Sequence, residues 1–187
     1  PYCWKECEVL DNGPLRFTAK LVYNPLVIKG DSNVVETRVI SLDKGSQLNK
    51  TVISYTDLKE VTPIVAGIVI HKENPTGYSF DSNAGYIAYA DSTQNPRNNN
   101  GVIYVGAVFP ASLNAAKAQL FPEAERKEHG GALGHVLGIS DYEPGTEYVY
   151  YWGSGWSKYG FAADTEWTKY LENFAQQVRN PLTVTVK

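Results

Sequence analysis

The chain has little of several features that mark common protein classes. Its 187 residues include no methionine, two cysteines and three histidines, and no apolar run approaches the roughly 20 residues that a membrane-spanning helix needs. Its 17 basic and 20 acidic side chains leave a net charge of −3, which is too small and too evenly spread to attract nucleic acid or a membrane surface. We therefore expect neither nucleic acid nor a membrane as a partner.

The two cysteines indicate neither a disulfide nor a metal site. In a strand, Cys3 and Cys7 would lie about 13 Å apart, too far for a disulfide, and only a helical turn would bring them together. No histidine lies near them in the sequence and no CxxC pair is present, so a zinc site is not expected there. We predict no metal and no cofactor.

The apolar and aromatic content is high enough to build a core. Hydrophobic residues make up 43% of the chain, with 4 tryptophans, 13 tyrosines and 6 phenylalanines. Short segments of alternating polarity are separated by turns rich in glycine, proline, asparagine and aspartate, which is typical of antiparallel strands. We predict a mainly β fold, an antiparallel β-sandwich that forms a single domain over residues 1–187.

One C-terminal amphipathic helix is also predicted. Trp167, Leu171 and Ala175 recur at the spacing of a single helix face. Asp164 is the expected N-cap, and Asn180 ends the pattern.

Three other segments give local predictions. Residues 112–128 are polar and rich in alanine, which indicates either a short helix or a long loop. Residues 153–158 are rich in glycine and serine, which predicts a surface loop. Residues 182–186 alternate as a strand would.

The start of the chain, Pro1 with no methionine anywhere, predicts either a leader that has been removed or a piece of a longer protein. On the second interpretation the chain is the C-terminal part of that protein, and an N-terminal segment is missing. The first favours a periplasmic or extracellular location.

The densest feature lies between Tyr148 and Phe161, where seven of fourteen residues are aromatic. An indole beside glycines and a lysine suits stacking on the apolar face of a sugar ring. We therefore predict substrate binding by Tyr151, Trp152, Trp156 and Lys158. Packing of these aromatic side chains in the core remains the alternative.

Two of the histidines are candidates for proton transfer. His71 follows an apolar strand and is expected at a sheet rim, and His129 follows a charged segment. We predict both as catalytic residues, with hydrogen-bonded structural histidines as the alternative. His129 and His135 do not have the usual spacing of zinc ligands, and we predict no role for His135.

Glu36 and Arg38 share the face of a strand whose other members are apolar. Charges on such a face are costly unless they pair or line a cleft. The pair is either a structural ion pair or part of a polar cleft that binds a uronate carboxylate and hydroxyl groups.

Four stretches of the chain resemble a bacterial family of uncharacterised proteins found among polysaccharide-utilisation enzymes, beside unsaturated glucuronyl and rhamnogalacturonyl hydrolases. These stretches are 9–16, 40–48, 66–71 and 150–158, the last being the most specific. The resemblance covers nearly the whole chain. It implies a galactose-mutarotase-like β-supersandwich and a role in degrading pectin-like acidic glycans, and it brings no catalytic assignment.

These observations favour a carbohydrate-active protein whose ligand is an oligosaccharide or polysaccharide containing uronic acid. In a lyase or hydrolase, His71 or His129 would transfer the proton, and Arg38 and Lys158 would neutralise the carboxylate. The alternative is a non-catalytic carbohydrate-binding module. A mutarotase or epimerase is a third hypothesis, drawn from the fold analogy alone.

Overall fold

The computed structural model describes residues 3–92 and 96–185. As predicted, the fold is mainly antiparallel β, with two sheets and a single α-helix, near the C-terminus, among the described residues. The strands are β1 (Trp4–Asn12), β2 (Arg16–Tyr23), β3 (Leu26–Ile28), β4 (Asp31–Asp43), β5 (Leu48–Thr56), β6 (Thr62–Ile70), β7 (Tyr78–Asp81), β8 (Tyr86–Ser92), β9 (Val102–Val108), β10 (Ala115–Leu120), β11 (Gly134–Tyr142) and β12 (Tyr148–Trp156), and the helix α1 is Asp164–Arg179. Pro96–Asn98 and Glu123–Glu125 form short 3₁₀ turns.

The described residues group into two compact units. Unit 1 holds those up to Ile64 together with Ser140–Gly153, and unit 2 holds those of Val65–Ile139 and from Ser154 onward. The expectation of one domain over residues 1–187 stays a prediction.

Unit 1 is built on neighbouring antiparallel strands in the order β1-β2-β4-β5-β12, with β3 paired to the start of β4. The predicted hairpin between β4 and β5 is present. Ser46 N donates to Asp43 O at 3.0 Å, and Gly45 takes the positive φ of 85° that a tight turn requires. Cys3 and Cys7 are free, exposed thiols.

Unit 2 contains strands in the order β9-β8-β7, with the end of β12 beside β9, and a second sheet in the order β10-β11-β6. Helix α1 buries Trp167, Leu171 and Ala175 against β8 and β9, so the predicted apolar face is confirmed. Gly106 of β9 allows this close packing, because a side chain there would lie 2.6 Å from Leu171. Within the part of the chain that the structure describes, no helix combines the length and the apolar character needed to cross a membrane.

The predicted loop over residues 153–158 is wrong in its first part, because β12 continues to Trp156. Both glycines of this segment lie where a neighbour approaches closely. A Cβ on Gly153 would lie 2.0 Å from Gln47 O, and one on Gly155 would lie 2.6 Å from the Phe161 ring. Glycine therefore allows close packing of this strand rather than flexibility.

Three further local predictions are corrected. The segment 112–128, expected as a helix or a loop, contains strand β10, which pairs with β11. The strand expected at 182–186 is absent over the described residues 182–185, and Val186 lies outside them. Ala163, not Asp164, is the N-cap of α1, and the carboxylate of Glu166 accepts a hydrogen bond from Ala162 N at 2.6 Å.

Candidate functional site

The first candidate site is built around the buried acid Glu36 in β4 of unit 1. Its exposure is 2%, and each carboxylate oxygen has a donor: Arg38 Nε on one, and the Tyr55 hydroxyl at 2.7 Å on the other. Glu36 and Arg38 share a face because they are two residues apart on a strand. Tyr55 is the residue of β5 that pairs with Glu36. A buried carboxylate requires such partners.

Arg38 is held in place by Glu36 and remains partly accessible. Its side chain is 28% exposed, and its Cζ lies 4.9 Å from the centre of the Tyr23 ring. Burial opposes the charge, but the hydrogen bond and the negative charge of Glu36 outweigh burial and raise the pKa of Arg38. Among the described residues, the terminal amino groups of this guanidinium have no hydrogen-bond acceptor. Arg38 is therefore a fixed cation with N–H donors to offer.

Aromatic and hydroxyl groups continue the same face. Directly paired residues of antiparallel strands share a face, and Arg38 pairs with Ile53, two positions from Thr51. Thr51 pairs in turn with Tyr150 of β12. Burial raises the pKa of Tyr150 against the opposing charge of Arg38. The Trp152 indole N–H donates to Thr51 Oγ1 at 2.7 Å.

We call this set the Arg38 face; it consists of Tyr23, Glu36, Arg38, Thr51, Tyr150 and Trp152. Trp152 is 40% exposed, so its indole ring is not buried in the core. Tyr151 pairs with Lys50 and points to the opposite side of the strand, away from the rest of the predicted binding set in this unit.

The second candidate site is an imidazole–carboxylate pair in unit 2. His71 Nδ1 lies 3.0 Å from both carboxylate oxygens of Asp91. The Tyr89 hydroxyl accepts a hydrogen bond from His71 N at 2.9 Å, and the two rings meet edge to face. The His71 side chain is 45% exposed. Its other ring nitrogen, Nε2, has no protein partner among the described residues.

Trp156 and Lys158 reach two consecutive backbone carbonyls of unit 2. The Trp156 indole N–H donates to Asn100 O at 2.6 Å, and the Lys158 ammonium donates to Asn99 O. Ser157 N donates to Val102 O at 2.9 Å and fixes this turn beside the start of β9. Trp156 is 42% exposed, so one ring surface is accessible while its nitrogen is occupied.

Trp156 and Asp91 point to the same face of their sheet. A Cβ on Gly155 would meet a side chain of α1, so Trp156, the next residue, points away from α1. Likewise Gly106 points at α1 and pairs with Ala88 of β8. Ala88 therefore shares the face of Gly106, towards α1. Asp91 lies three positions further along β8, and because side chains alternate along a strand, Asp91 points away from α1. We call His71, Asp91, Trp156 and Lys158 the His71 rim.

The other two histidines pack against one phenylalanine. His129 stacks on the Phe121 ring at 3.9 Å between centroids, and His135 meets the edge of that ring at 5.2 Å. Across residues 3–92 and 96–185, no three side chains of histidine, cysteine, aspartate or glutamate are placed to hold a metal ion.

Sequence reasoning missed several partners of the predicted residues. No local sequence pattern indicates a functional role for four of them, because each acquires its role through a neighbour on another strand: Asp91, Thr51, Tyr55 and Tyr23. Alternation along β5 places Thr51 and Tyr55 on one face and was the only sequence signal available for them.

The chain belongs to the family described as a domain of unknown function, DUF4861, whose family model matches residues 1–184. The expected membership of an uncharacterised family is thereby confirmed. No curated protein matches the chain.

Proposed function

We propose that the protein binds a uronic-acid-containing glycan through the Arg38 face of unit 1. The observation that carries this proposal is the guanidinium of Arg38, which a buried carboxylate fixes at Nε and whose side chain stays 28% exposed. A preorganised guanidinium suits a carboxylate, because its planar N–H groups match two carboxylate oxygens.

The surroundings of Arg38 suit the rest of a sugar. The exposed indole of Trp152 offers an apolar surface for the C–H groups of a pyranose ring. The half-buried Tyr150 lies on the same face, and its hydroxyl supplies a partner for sugar hydroxyls, whereas Thr51 is fully buried and holds the Trp152 indole. A face with one cation, one exposed indole and tyrosine hydroxyls favours an acidic sugar over a neutral one.

The resemblance to proteins found among polysaccharide-utilisation enzymes supports the same ligand class. On that basis we propose a pectin-like oligosaccharide or polysaccharide as ligand, a mutarotase-like sandwich as the fold type, and a periplasmic or extracellular location. Recognition of the glycan is common to a lyase or hydrolase and to a non-catalytic binding module. The His71–Asp91 pair is the observation that favours an enzyme.

Calorimetric titration with trigalacturonate and with its neutral counterpart, a galactose trisaccharide, tests the proposal. Arg38→Gln should weaken trigalacturonate binding about 10- to 100-fold, the equivalent of the 1.5–3 kcal/mol of a charge-assisted hydrogen bond. Trp152→Ala should weaken it as well. Lys50→Gln is the matched control, because it removes the same charge from the opposite face of the adjacent strand.

Equal affinity for the acidic and the neutral trisaccharide would contradict the proposal. Unchanged binding in folded Arg38→Gln would contradict it too, since the wild-type carboxylate would then be bound elsewhere.

A further inference from the structure

The Asp91 carboxylate determines which ring nitrogen of neutral His71 carries the proton. Both carboxylate oxygens lie 3.0 Å from Nδ1, so in the neutral imidazole the proton resides on Nδ1 and is donated to Asp91. Nε2 is then a proton acceptor. Because the His71 side chain is 45% exposed, this acceptor is open to a bound molecule.

The pair is held rigidly at the end of two strands. His71 follows the last residue of β6, and its backbone N–H is bound by the Tyr89 hydroxyl, which also donates to Asn74 O at 3.0 Å. Asp91 lies within β8 and pairs with Ile103 of β9. An imidazole fixed by a carboxylate and by its own backbone is preorganised for proton transfer.

A stacking surface and a cation lie on the same rim. Trp156 shares with Asp91 the face directed away from α1. Lys158 binds the carbonyl of Asn99 while Trp156 binds that of Asn100, so the ammonium lies close to the indole. A sugar stacked on Trp156 could therefore place a carboxylate near Lys158.

We infer that the His71 rim is a catalytic site for β-elimination on a uronate glycan, with His71 as the base. His71 Nε2 takes the proton from C5, the carbon that carries the carboxylate. The electron pair of that C–H bond forms the C4=C5 double bond, and the C4–O bond to the next sugar breaks. The leaving oxygen takes a proton from the imidazolium, which restores neutral His71.

Each remaining member of the rim has one role in this step. Lys158 stabilises the negative charge that develops on the carboxylate as the C5 proton leaves. Trp156 holds the ring, and Asp91 is a positioning residue that sets the tautomer of His71. The substrate class is taken from the proposed function, whereas the site itself consists only of unit 2 residues.

The test uses the full chain with polygalacturonate, rhamnogalacturonan and hyaluronan, in each of which a uronate carries the next sugar on O4, and follows the ultraviolet absorbance of the conjugated C4=C5 bond. His71→Gln should lower the rate about 100- to 10,000-fold, the usual contribution of an acid–base group. Lys72→Gln, a change at the exposed neighbouring residue, is the control and should retain the wild-type rate.

The variant Asp91→Asn distinguishes two possible roles of Asp91, the positioning of His71 and the support of the fold. The asparagine amide can donate to Nδ1, which moves the imidazole proton to Nε2 and abolishes the acceptor. We expect a folded variant with a large loss of kcat, a small change in KM, and a changed tautomer of His71 in its ¹⁵N NMR spectrum.

Elimination by His71→Gln at the wild-type rate would overturn the inference, and so would a wild-type chain that yields no absorbance on any of the three glycans. A changed tautomer in Asp91→Asn with full activity would overturn the role of Asp91. The proposed function is tested by a different measurement: unchanged glycan binding in Arg38→Gln would contradict it without bearing on the role of His71.

Discussion

Glu36 and Arg38, two residues apart on β4, form an ion pair in which the acid is buried and the base is partly accessible. The side chain of Glu36 is 3% exposed and that of Arg38 is 28% exposed. The ion pair is therefore not fully enclosed in the core, because solvent still reaches the Arg38 side chain. Glu36 holds the guanidinium at Nε, and the Arg38 side chain keeps partial access to solvent.

Loss of the carboxylate of Glu36 should destabilise the protein. Glu36→Gln removes the charge that Arg38 faces. We expect the free energy of unfolding to fall by about 2 kcal/mol, less than the 3–5 kcal/mol of a fully buried pair because water reaches Arg38. Urea denaturation measures it, and Glu6→Gln, at an exposed glutamate of β1, should leave the midpoint unchanged. A Glu36→Gln variant as stable as the wild type would refute this account.

The glycines of β12 should not tolerate a side chain. Gly153→Ala would place a methyl group 2.0 Å from Gln47 O, and relief of that contact requires movement of backbone. We expect a loss of about 2 kcal/mol or more in thermal or urea unfolding. At Gly13 the nearest atom would lie at 3.4 Å, so Gly13→Ala is the matched control. Equal stabilities would show that β12 does not pack as described.

Helix α1 should depend on Leu171 for its attachment to β8 and β9. Leu171 is fully buried, and Leu171→Ala should cost about 2–5 kcal/mol. Leu182→Ala, at a residue that is 93% exposed, should change stability by less than about 0.5 kcal/mol. Comparable losses at both positions would argue against this packing.

Alkaline pH should destabilise unit 1 through Tyr148. Burial raises the pKa of Tyr148, so folding favours the neutral phenol. This contribution is fully present below the ordinary tyrosine pKa of about 10 and is lost as the pH rises through the higher folded value. Urea midpoints measured between neutral and strongly alkaline pH should therefore fall.

The urea midpoint should fall less steeply with rising pH in Tyr148→Phe, which has no phenol to ionise at this position. Tyr159→Phe, at a residue that is 77% exposed, is the control for the loss of one hydroxyl and should retain the wild-type slope. An identical slope in all three proteins would contradict the role of Tyr148.

The sequence predicts the elements whose signal is local. The helix was found because its apolar residues repeat at 3.6-residue intervals, and most strands of units 1 and 2 were found from alternation. Strand β1 is not predicted, because all its residues are exposed. Its sequence therefore has no alternation of buried and exposed positions that would indicate a strand paired with β2. Strand β10 was missed because its alanine-rich sequence favours a helix, whereas pairing with β11 makes it a strand.

The candidate sites show the same limit. Glu36 and Arg38 share a strand face, which the sequence predicts directly. Asp91 is twenty residues from His71 in the chain, and only the placement of β8 beside the end of β6 brings the two together. Such a contact depends on tertiary structure, which no local pattern encodes.

The two candidate-site tryptophans have their ring nitrogen occupied by the protein itself: Trp152 donates to Thr51 Oγ1, and Trp156 donates to the backbone carbonyl of Asn100. A molecule resting on either indole meets only its π surface and its C–H edge. Neither tryptophan can then read the orientation of a particular sugar hydroxyl by donating to it. Discrimination between epimers, such as galacturonate and glucuronate, falls to the hydroxyl and cationic side chains around each ring.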